Sequence, residues 1–282
     1  MFQRLANSWE LVKASAKVLA ADKELLIFPI ISAIGTVIVT LTFALPLFLS
    51  GLVDQIIATG DQVVGFLIMF LFYVVQYTVI FFANTALAGA AMIRIKGGDP
   101  TIADGFRVAF SRFGAIVGYA MIAATVGMIL RAISERSKGL GRFVVSLLGF
   151  AWNIATYLVV PILAVEGLNP IESIKRSVQL LRKTWGEQIA GSFGIGAVFG
   201  ILVLLLFLVG IPLIIYSFVG LELPWLGISG IVLFIGLLII IGLVNSALSA
   251  IYTAAVYHYA VSGETGQFFQ RDRCPETRFQ MF

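Results

Sequence analysis

The residues with the clearest potential for catalysis are a serine and a histidine near the end of the chain. Ser229 lies in the run Gly227-Ile-Ser229-Gly230, a Gly-x-Ser-Gly pattern typical of nucleophilic serines inside membranes, and His258 follows it. Both fall in one predicted helix, where 1.5 Å per residue would separate them by about 43 Å. A Ser–His dyad needs hydrogen-bonding contact. We therefore predict no catalytic residues and no enzymatic activity.

Metal and cofactor chemistry is limited by a scarcity of ligands. Cys274 is the single cysteine and His258 the single histidine, which excludes a cysteine-based zinc site and most histidine-rich metal sites. The chain has neither a phosphate-binding loop nor a Rossmann glycine pattern, which excludes an ATP-driven pump for this chain alone. Paired carboxylates within the apolar segments are also missing, which disfavours a proton relay. We predict no metal and no cofactor.

The polar residues inside the apolar segments are instead neutral. The second helix of each predicted hairpin carries an asparagine followed by small or hydroxyl residues. Such residues form hydrogen bonds between membrane helices, or they line a polar pathway through the bundle. Under the second interpretation, the candidate pore-lining residues are Asn84, Asn153, Asn245, Thr85, Thr156 and Ser249.

The elements that must position these residues follow from composition and hydropathy. Only 12% of the 282 residues are charged, about half the fraction of a soluble protein, whereas 60% are hydrophobic. We predict an all-α polytopic bundle of about six transmembrane helices arranged as three hairpins, with Pro46, Pro161 and Pro212 as kink sites. The predicted spans are Leu25–Ser50, Val63–Ile93, Phe113–Ile133, Phe143–Val165, Ile189–Val219 and Trp225–Val261.

A cytoplasmic-side amphipathic helix is predicted before each hairpin, because apolar residues recur there at steps of three and four. Trp9, Phe106 and Trp185 are the predicted membrane-surface anchors; the alternative is that these helices brace the bundle. The runs Lys96-Gly-Gly-Asp99-Pro100 and Glu166-Gly-Leu-Asn169-Pro170 suggest repeated boundaries, with Asp99 or Asn169 as helix caps. We predict a single membrane domain over 1–282, with repeat units 1–98, 99–168 and 169–263 and a tail at 264–282.

The distribution of positive charge predicts cytoplasmic termini in the cell inner membrane. Fifteen Lys and Arg residues lie on the side of the N-terminus and four on the other. All four cluster at the tip between spans three and four: Arg131, Arg136, Lys138 and Arg142. We consider three explanations of this basic rim: an ordinary exception to the rule, a hairpin that does not cross fully, or a surface that attracts anions or anionic head groups.

The two ends of the chain resemble those of an uncharacterised family of bacterial and archaeal six-helix membrane proteins, a domain of unknown function. The resemblance rests on Asn7-Ser-Trp9-Glu-Leu-Val-Lys13, Asp22-Lys-Glu-Leu-Leu-Ile-Phe28-Pro29 and Ala254-Ala-Val-Tyr257-His-Tyr259-Ala-Val-Ser-Gly263. More distantly, the plan is similar to the membrane domain of some glycerophosphodiester phosphodiesterases and to CysZ-type permeases. The resemblance implies a membrane protein and transfers no catalytic residues.

Two functions follow from these patterns. The first is a channel or passive permease for small solutes or anions, which we expect to form a homo-oligomer because Gly196 and Gly200 make a GxxxG motif. The second is a membrane-organising scaffold whose amphipathic helices bind membrane lipids, and which recruits a cytoplasmic protein partner or shapes the bilayer. The apolar stripes of those helices suit a bilayer better than nucleic acid, so no nucleic acid partner is predicted.

Overall fold

The computed structural model describes Lys13 and residues 15–51, 62–221 and 223–262, with only the backbone described for Gln62 and residues 183–194. These residues are helical apart from short connections, and they contain no strand. A helical segment at residues 15–21 and a 3-10 turn at Lys23–Leu26 precede the first long helix. The α-helices are α1 (Ile27–Leu49), α2 (Gln62–Ile95), α3 (Ile102–Ser111), α4 (Phe113–Arg136), α5 (Leu140–Ala155), α6 (Val159–Val165), α7 (Pro170–Val219) and α8 (Pro224–Ser262).

Six segments are long and apolar enough to cross a membrane, which confirms the prediction of a polytopic all-α bundle. The shortest of them, α4, has 24 residues and would measure about 36 Å, more than the roughly 30 Å of a hydrocarbon core. Large apolar side chains are exposed along α1, the first half of α2, the second half of α7 and the first half of α8. Soluble proteins rarely expose an apolar surface of this extent to water, so the chain is a multi-pass membrane protein.

The packed core lies towards one end of the bundle. Phe28 of α1, Leu87 and Ile95 of α2, and Ile251 and Tyr252 of α8 are almost fully buried there. Val18, from the helical segment before α1, joins the same cluster. The segment at residues 15–21 therefore packs on the bundle, as the bracing interpretation of the amphipathic helices predicted.

The fourth span, predicted at Phe143–Val165 with a kink at Pro161, is interrupted by a helix break within Leu140–Val165. Helix α5 ends at Ala155, and α6 begins at Val159 after a turn. Pro161 explains the break, because proline has no N–H to donate to the carbonyl of Tyr157 and its ring clashes with that carbonyl. The expected kink is therefore a helix break three to five residues before the proline.

The third amphipathic helix and span five form one continuous helix, α7, of 50 residues. This corrects their prediction as separate elements. The sequence predicts an apolar stripe along its first part, made of Ile171, Ile174, Val178, Leu181 and Trp185. Of these, Leu181 is buried and Ile171 is exposed, whereas Ser173, Ser177 and Leu180 are buried outside the stripe. Hydropathy alone finds only part of this buried face, because two of its contact residues are serines.

Helix α3 is a separate element that packs on α1 and α2. A Cβ added to Gly105 would lie 2.5 Å from Cζ of Phe28 and 2.8 Å from the carbonyl oxygen of Ala86. Glycine at this position therefore permits the close approach of three helices. The absence of a side chain, rather than an apolar contact residue, determines how near α3 lies to the bundle.

The two repeated boundaries end their preceding helices in the same way but cap the following helices differently. Gly97 and Gly167 both have positive φ, at 89° and 64°. Asn169 accepts a hydrogen bond from the N–H of Glu172 at 3.0 Å, as predicted for a cap. The prediction of Asp99 as a cap is wrong, because Asp99 pairs with Arg94 and Thr101 caps α3.

Thr101 and Asp104 form a reciprocal capping box at the start of α3. The hydroxyl and backbone N–H of Thr101 both donate to the Asp104 carboxylate, at 2.6 and 3.1 Å. These hydrogen bonds, with a smaller contribution from the charge of Arg107, lower the pKa of Asp104. The cap is therefore complete at neutral pH and weakens only as the pH falls through the lowered pKa of this carboxyl.

Candidate functional site

Three aromatic side chains on one face of α2 form a stacked row. Tyr73, Tyr77 and Phe81 are spaced four residues apart, which places them on neighbouring turns of the same helix face. The ring centroids of Tyr73 and Tyr77 are 6.0 Å apart, and those of Tyr77 and Phe81 are 5.7 Å apart. Both pairs are stacked, so the row runs without interruption along about two turns of α2.

Helix α4 runs antiparallel to α2 and supplies a partner for each member of this row. Near the end of α4, Nη1 of Arg131 donates a hydrogen bond to the Tyr73 hydroxyl at 3.1 Å. One turn earlier, Gly127 presents no side chain, and a Cβ there would lie 3.8 Å from the Tyr77 hydroxyl oxygen. Two turns earlier again, Tyr119 packs on Phe81 with ring centroids 4.5 Å apart.

The row ends at the break in the fourth span. The Thr156 side chain, in the turn between α5 and α6, lies near the Tyr119 side chain, and its hydroxyl donates to the carbonyl of Trp152 at 2.8 Å. Tyr119 is 4% exposed and packs against Val159 and Leu163 of α6. We call this set the tyrosine file: Arg131, Tyr73, Tyr77, Phe81, Tyr119 and Thr156.

The helix break is itself held by a polar contact from α7. The backbone N–H of Leu158 donates to Oγ of the buried Ser177 at 3.2 Å. A broken helix at membrane depth needs such partners, because lipid offers none. Ser177 therefore stabilises the irregular backbone on which Thr156 is carried.

The tyrosine file combines a positive charge with neutral hydroxyl groups. Arg131 lies at one end, where it also donates to the carboxylate of Glu135, and the hydroxyls of Tyr73, Tyr77 and Tyr119 follow it along the file. Hydroxyl O–H groups donate to anions, and arginine attracts anions by its charge. This arrangement can stabilise a small anion without binding it as tightly as a row of cations would.

All four residues of the predicted basic rim are exposed, and Arg131 also makes polar contacts. Arg131 donates from Nε to Oε1 of Glu135 at 2.8 Å, in addition to its contact with Tyr73. Arg136, Lys138 and Arg142 are all exposed around the tip between α4 and α5. Sequence reasoning missed Glu135, although it is the single acidic residue between Asp104 and Glu166.

The six predicted pore-lining residues occupy different environments. Thr156 belongs to the tyrosine file, whereas Asn153, one turn before it, is exposed. Asn84, Asn245 and Ser249 are half-buried and Thr85 is fully buried. The oxygen atoms Oγ1 of Thr85 and Oδ1 of Asn245 are buried without a hydrogen-bond partner among the described residues. The lining role of the asparagines stays a prediction.

Phe106 is the only one of the three predicted membrane-surface anchors whose side chain the structure describes. It is half-buried and contacts Phe28 and Phe82, with ring centroids 5.4 and 6.1 Å away, so it packs on the bundle core. Trp9 lies outside the described residues, and only the backbone of Trp185 is described, within α7. Phe110 and Phe113 are the more exposed aromatic residues of this region.

A second polar cluster joins three helices at the opposite end of the fourth span. Oε1 of Glu166 accepts hydrogen bonds from the Tyr257 hydroxyl at 3.0 Å and from Nε of Arg176 at 3.2 Å. Arg94 similarly contacts Asp22 at 3.3 Å and Asp99 at 2.8 Å. These ion pairs tie the ends of the helices together, which is a structural role.

Ser229 and His258 both lie in α8, as predicted, and each has a local partner. The Ser229 hydroxyl donates to the carbonyl of Leu226 at 3.0 Å. Nδ1 of His258 lies 3.4 Å from the hydroxyl of Ser262. The two residues do not form a dyad, because one straight helix separates them.

Sequence reasoning missed most of the tyrosine file. Thr156 and Arg131 were among the candidates, but Tyr73, Tyr77, Phe81 and Tyr119 were not, and neither was Ser177, which holds the helix break. The available signal was the spacing of Tyr73, Tyr77 and Phe81, which places three aromatic residues on one face of a membrane helix. Their partners on α4 and α7 could not be found from spacing, because they depend on helix packing.

Comparisons with known proteins give one family match. The sequence model of a family described as "Family of unknown function (DUF6159)" matches residues 63–268. This range includes the closing motif at 254–263 and excludes the opening motifs at 7–29. No curated protein and no solved structure matches the chain. The distant likenesses to the phosphodiesterase membrane domain and to CysZ-type permeases therefore stay predictions.

Proposed function

This chain belongs to the DUF6159 family of unknown function, and from that premise we propose that it is a non-enzymatic, passive conduit for small anions. The observation that carries the proposal is the tyrosine file, which links the exposed basic rim to the helix break of span four. An arginine within a membrane segment is costly and is a default indication of a functional site, and here Arg131 begins a row of tyrosines.

The chemistry of the tyrosine file favours anions over cations. Arg131 and the exposed Arg136, Lys138 and Arg142 raise the local concentration of anions at one end. Within the bundle, the hydroxyls of Tyr77 and Tyr119 offer O–H donors to an anion but carry no charge at neutral pH. Conduction requires sites that attract an ion yet release it, and neutral donors satisfy both conditions.

We also propose that the protein forms a homo-oligomer in the cytoplasmic membrane, with both termini in the cytoplasm. Gly196 and Gly200 of α7 are exposed, and a Cβ at either would meet nothing within 4 Å. Small residues at this spacing allow membrane helices of two subunits to approach closely. The surface that would pair is therefore open in the single chain.

A membrane-organising scaffold is the second candidate, and the exposed aromatic residues near α3 favour it. Phe110 is 67% exposed and Phe113 is 48% exposed, beside the exposed cation Arg107. Such a patch suits an anionic bilayer surface or a cytoplasmic protein partner. In that case the protein would support no flux.

The test is solute flux into proteoliposomes, measured for chloride, nitrate, sulfate and potassium against protein-free liposomes. We expect anion flux that Tyr77→Phe and Tyr119→Phe each reduce about tenfold, because each removes one hydroxyl that would donate to the anion while keeping its ring. Tyr216→Phe is the matched control, since Tyr216 is exposed on α7. Flux that is absent from the wild type, or equal in all three variants, would reject the proposal in favour of the scaffold.

A further inference from the structure

We propose that Glu135 occupies an anion subsite at the entrance of the tyrosine file, and that this subsite takes small monovalent oxyanions. The inference rests on the proposed conduit function and names its substrate class. The guanidinium of Arg131 donates hydrogen bonds both to a neutral hydroxyl and to a carboxylate.

Arg131 uses a different nitrogen atom for each of its two hydrogen-bond partners. Nη1 donates to the Tyr73 hydroxyl at 3.1 Å, and Nε donates to Oε1 of Glu135 at 2.8 Å. Since the Tyr73 oxygen accepts from the arginine, its own proton remains available to donate. Arg131 and Tyr73 thus form an adjacent pair of donors, one charged and one neutral, at the first position of the file.

The chemical class of the ligand follows from the group that already lies there. A guanidinium offers parallel N–H groups that match two oxygens of one oxyanion, and a carboxylate is such an anion. Glu135 shows that a carboxylate oxygen fits at 2.8 Å from Nε. A spherical anion such as chloride uses this fork less well, so we infer preference for carboxylate, nitrate or sulfonate groups.

The internal carboxylate is weakly held and open to exchange. The side chains of Arg131 and Glu135 are 55% and 64% exposed, and the two residues are four positions apart on α4. Exposed pairs of this kind contribute little free energy and are screened by salt. An incoming oxyanion can therefore displace Glu135 from Arg131, aided by the exposed Arg136, Lys138 and Arg142.

The experiment compares Glu135→Gln with Glu172→Gln in proteoliposomes. Each variant removes one exposed negative charge, but Glu172 lies at the other end of the fourth span, in the first turn of α7. Flux of potassium methanesulfonate and of potassium chloride is measured with valinomycin by stopped-flow light scattering. Methanesulfonate is a strong-acid oxyanion, so its neutral form does not leak across the bilayer.

We expect Glu135→Gln to lower the half-saturation concentration for methanesulfonate about two- to fivefold, the range of an exposed ion pair, with a smaller change for chloride. Glu172→Gln should match the wild type, and adding Arg131→Gln to Glu135→Gln should abolish the gain. Equal behaviour of Glu135→Gln and Glu172→Gln, in a wild type that conducts, would overturn the subsite and leave the conduit intact. An equal gain for chloride would overturn the oxyanion preference, and a wild type without flux would overturn both proposals.

Discussion

At the scale of single residues, a missing side chain or a missing backbone N–H determines the local structure at two positions. Gly105 lets α3 lie directly on the ring of Phe28 and the backbone of Ala86. Pro161 lacks the N–H that would have continued the fourth span as one helix. These effects explain why apolar periodicity located the helices but not their contacts.

Replacement of Gly105 tests the closest of these contacts. We expect Gly105→Ala to destabilise the protein by about 1–3 kcal/mol, because its Cβ would meet both a buried ring and backbone that cannot move easily. Gly114→Ala is the matched control, since a Cβ there meets nothing within 4 Å, and it should be neutral or stabilising by up to about 1 kcal/mol. Thermal unfolding in detergent measures both, and equal melting temperatures would contradict the tight contact.

At the scale of elements, the broken fourth span connects the fold to the proposed site. Helices α5 and α6 together reach the length of one membrane span, but the turn between them carries Thr156 to Tyr119. Ser177 of α7 holds the opposite side of that turn by accepting from the N–H of Leu158. The first part of α7 therefore braces the break, and its buried serines are explained by polar backbone rather than by hydropathy.

Loss of the Ser177 hydroxyl should weaken this brace. Ser177→Ala leaves the buried N–H of Leu158 without its acceptor, which we expect to cost about 1–3 kcal/mol. Ser217→Ala is the control, because Ser217 is also buried but its hydroxyl donates only to the carbonyl of Leu213 in its own helix. The comparison is the thermal unfolding temperature in detergent, and a Ser177→Ala variant as stable as Ser217→Ala would show that the contact is dispensable.

At the scale of the whole molecule, the bundle has two ends of different character. One end contains the packed core, the Glu166 cluster and the Arg94 ion pairs, whereas the other presents the basic rim and leads into the tyrosine file. The lengths of α4 and of α5 with α6 are sufficient for spans three and four to cross the membrane fully. The basic tip is then external if the termini are cytoplasmic.

Cysteine labelling tests this orientation. In a Cys274→Ser background, Leu140→Cys places a thiol at an 85% exposed position of the basic tip. We expect an impermeant maleimide to label it in intact cells, and to label Ala103→Cys on α3, at the other end of α4, only after permeabilisation. The reverse pattern would invert the topology, and labelling of both positions only in permeabilised cells would show that spans three and four do not cross.

The sequence by itself determined the membrane class, the helical fold and the approximate position of all six spans, because a run of apolar residues can satisfy its backbone in lipid only as a helix. It also identified the Asn169 cap and the glycines that end α2 and α6, since caps depend on local residue types. It predicted a kink rather than a helix break in span four. It did not predict the continuity of α7 or the cap at Thr101.

Only the tertiary structure decided which side chains meet. Tyr119 and Thr156 lie in different spans, Ser177 lies on a helix whose predicted apolar stripe excluded it, and Arg131 reaches a tyrosine 58 positions away in sequence. Every face of a membrane helix is apolar enough for lipid, so hydropathy does not distinguish a face that packs on protein from one that faces the bilayer. Glycines, hydroxyl groups and helix breaks distinguish the faces that pack on protein, and the residues that they contact depend on how the helices pack.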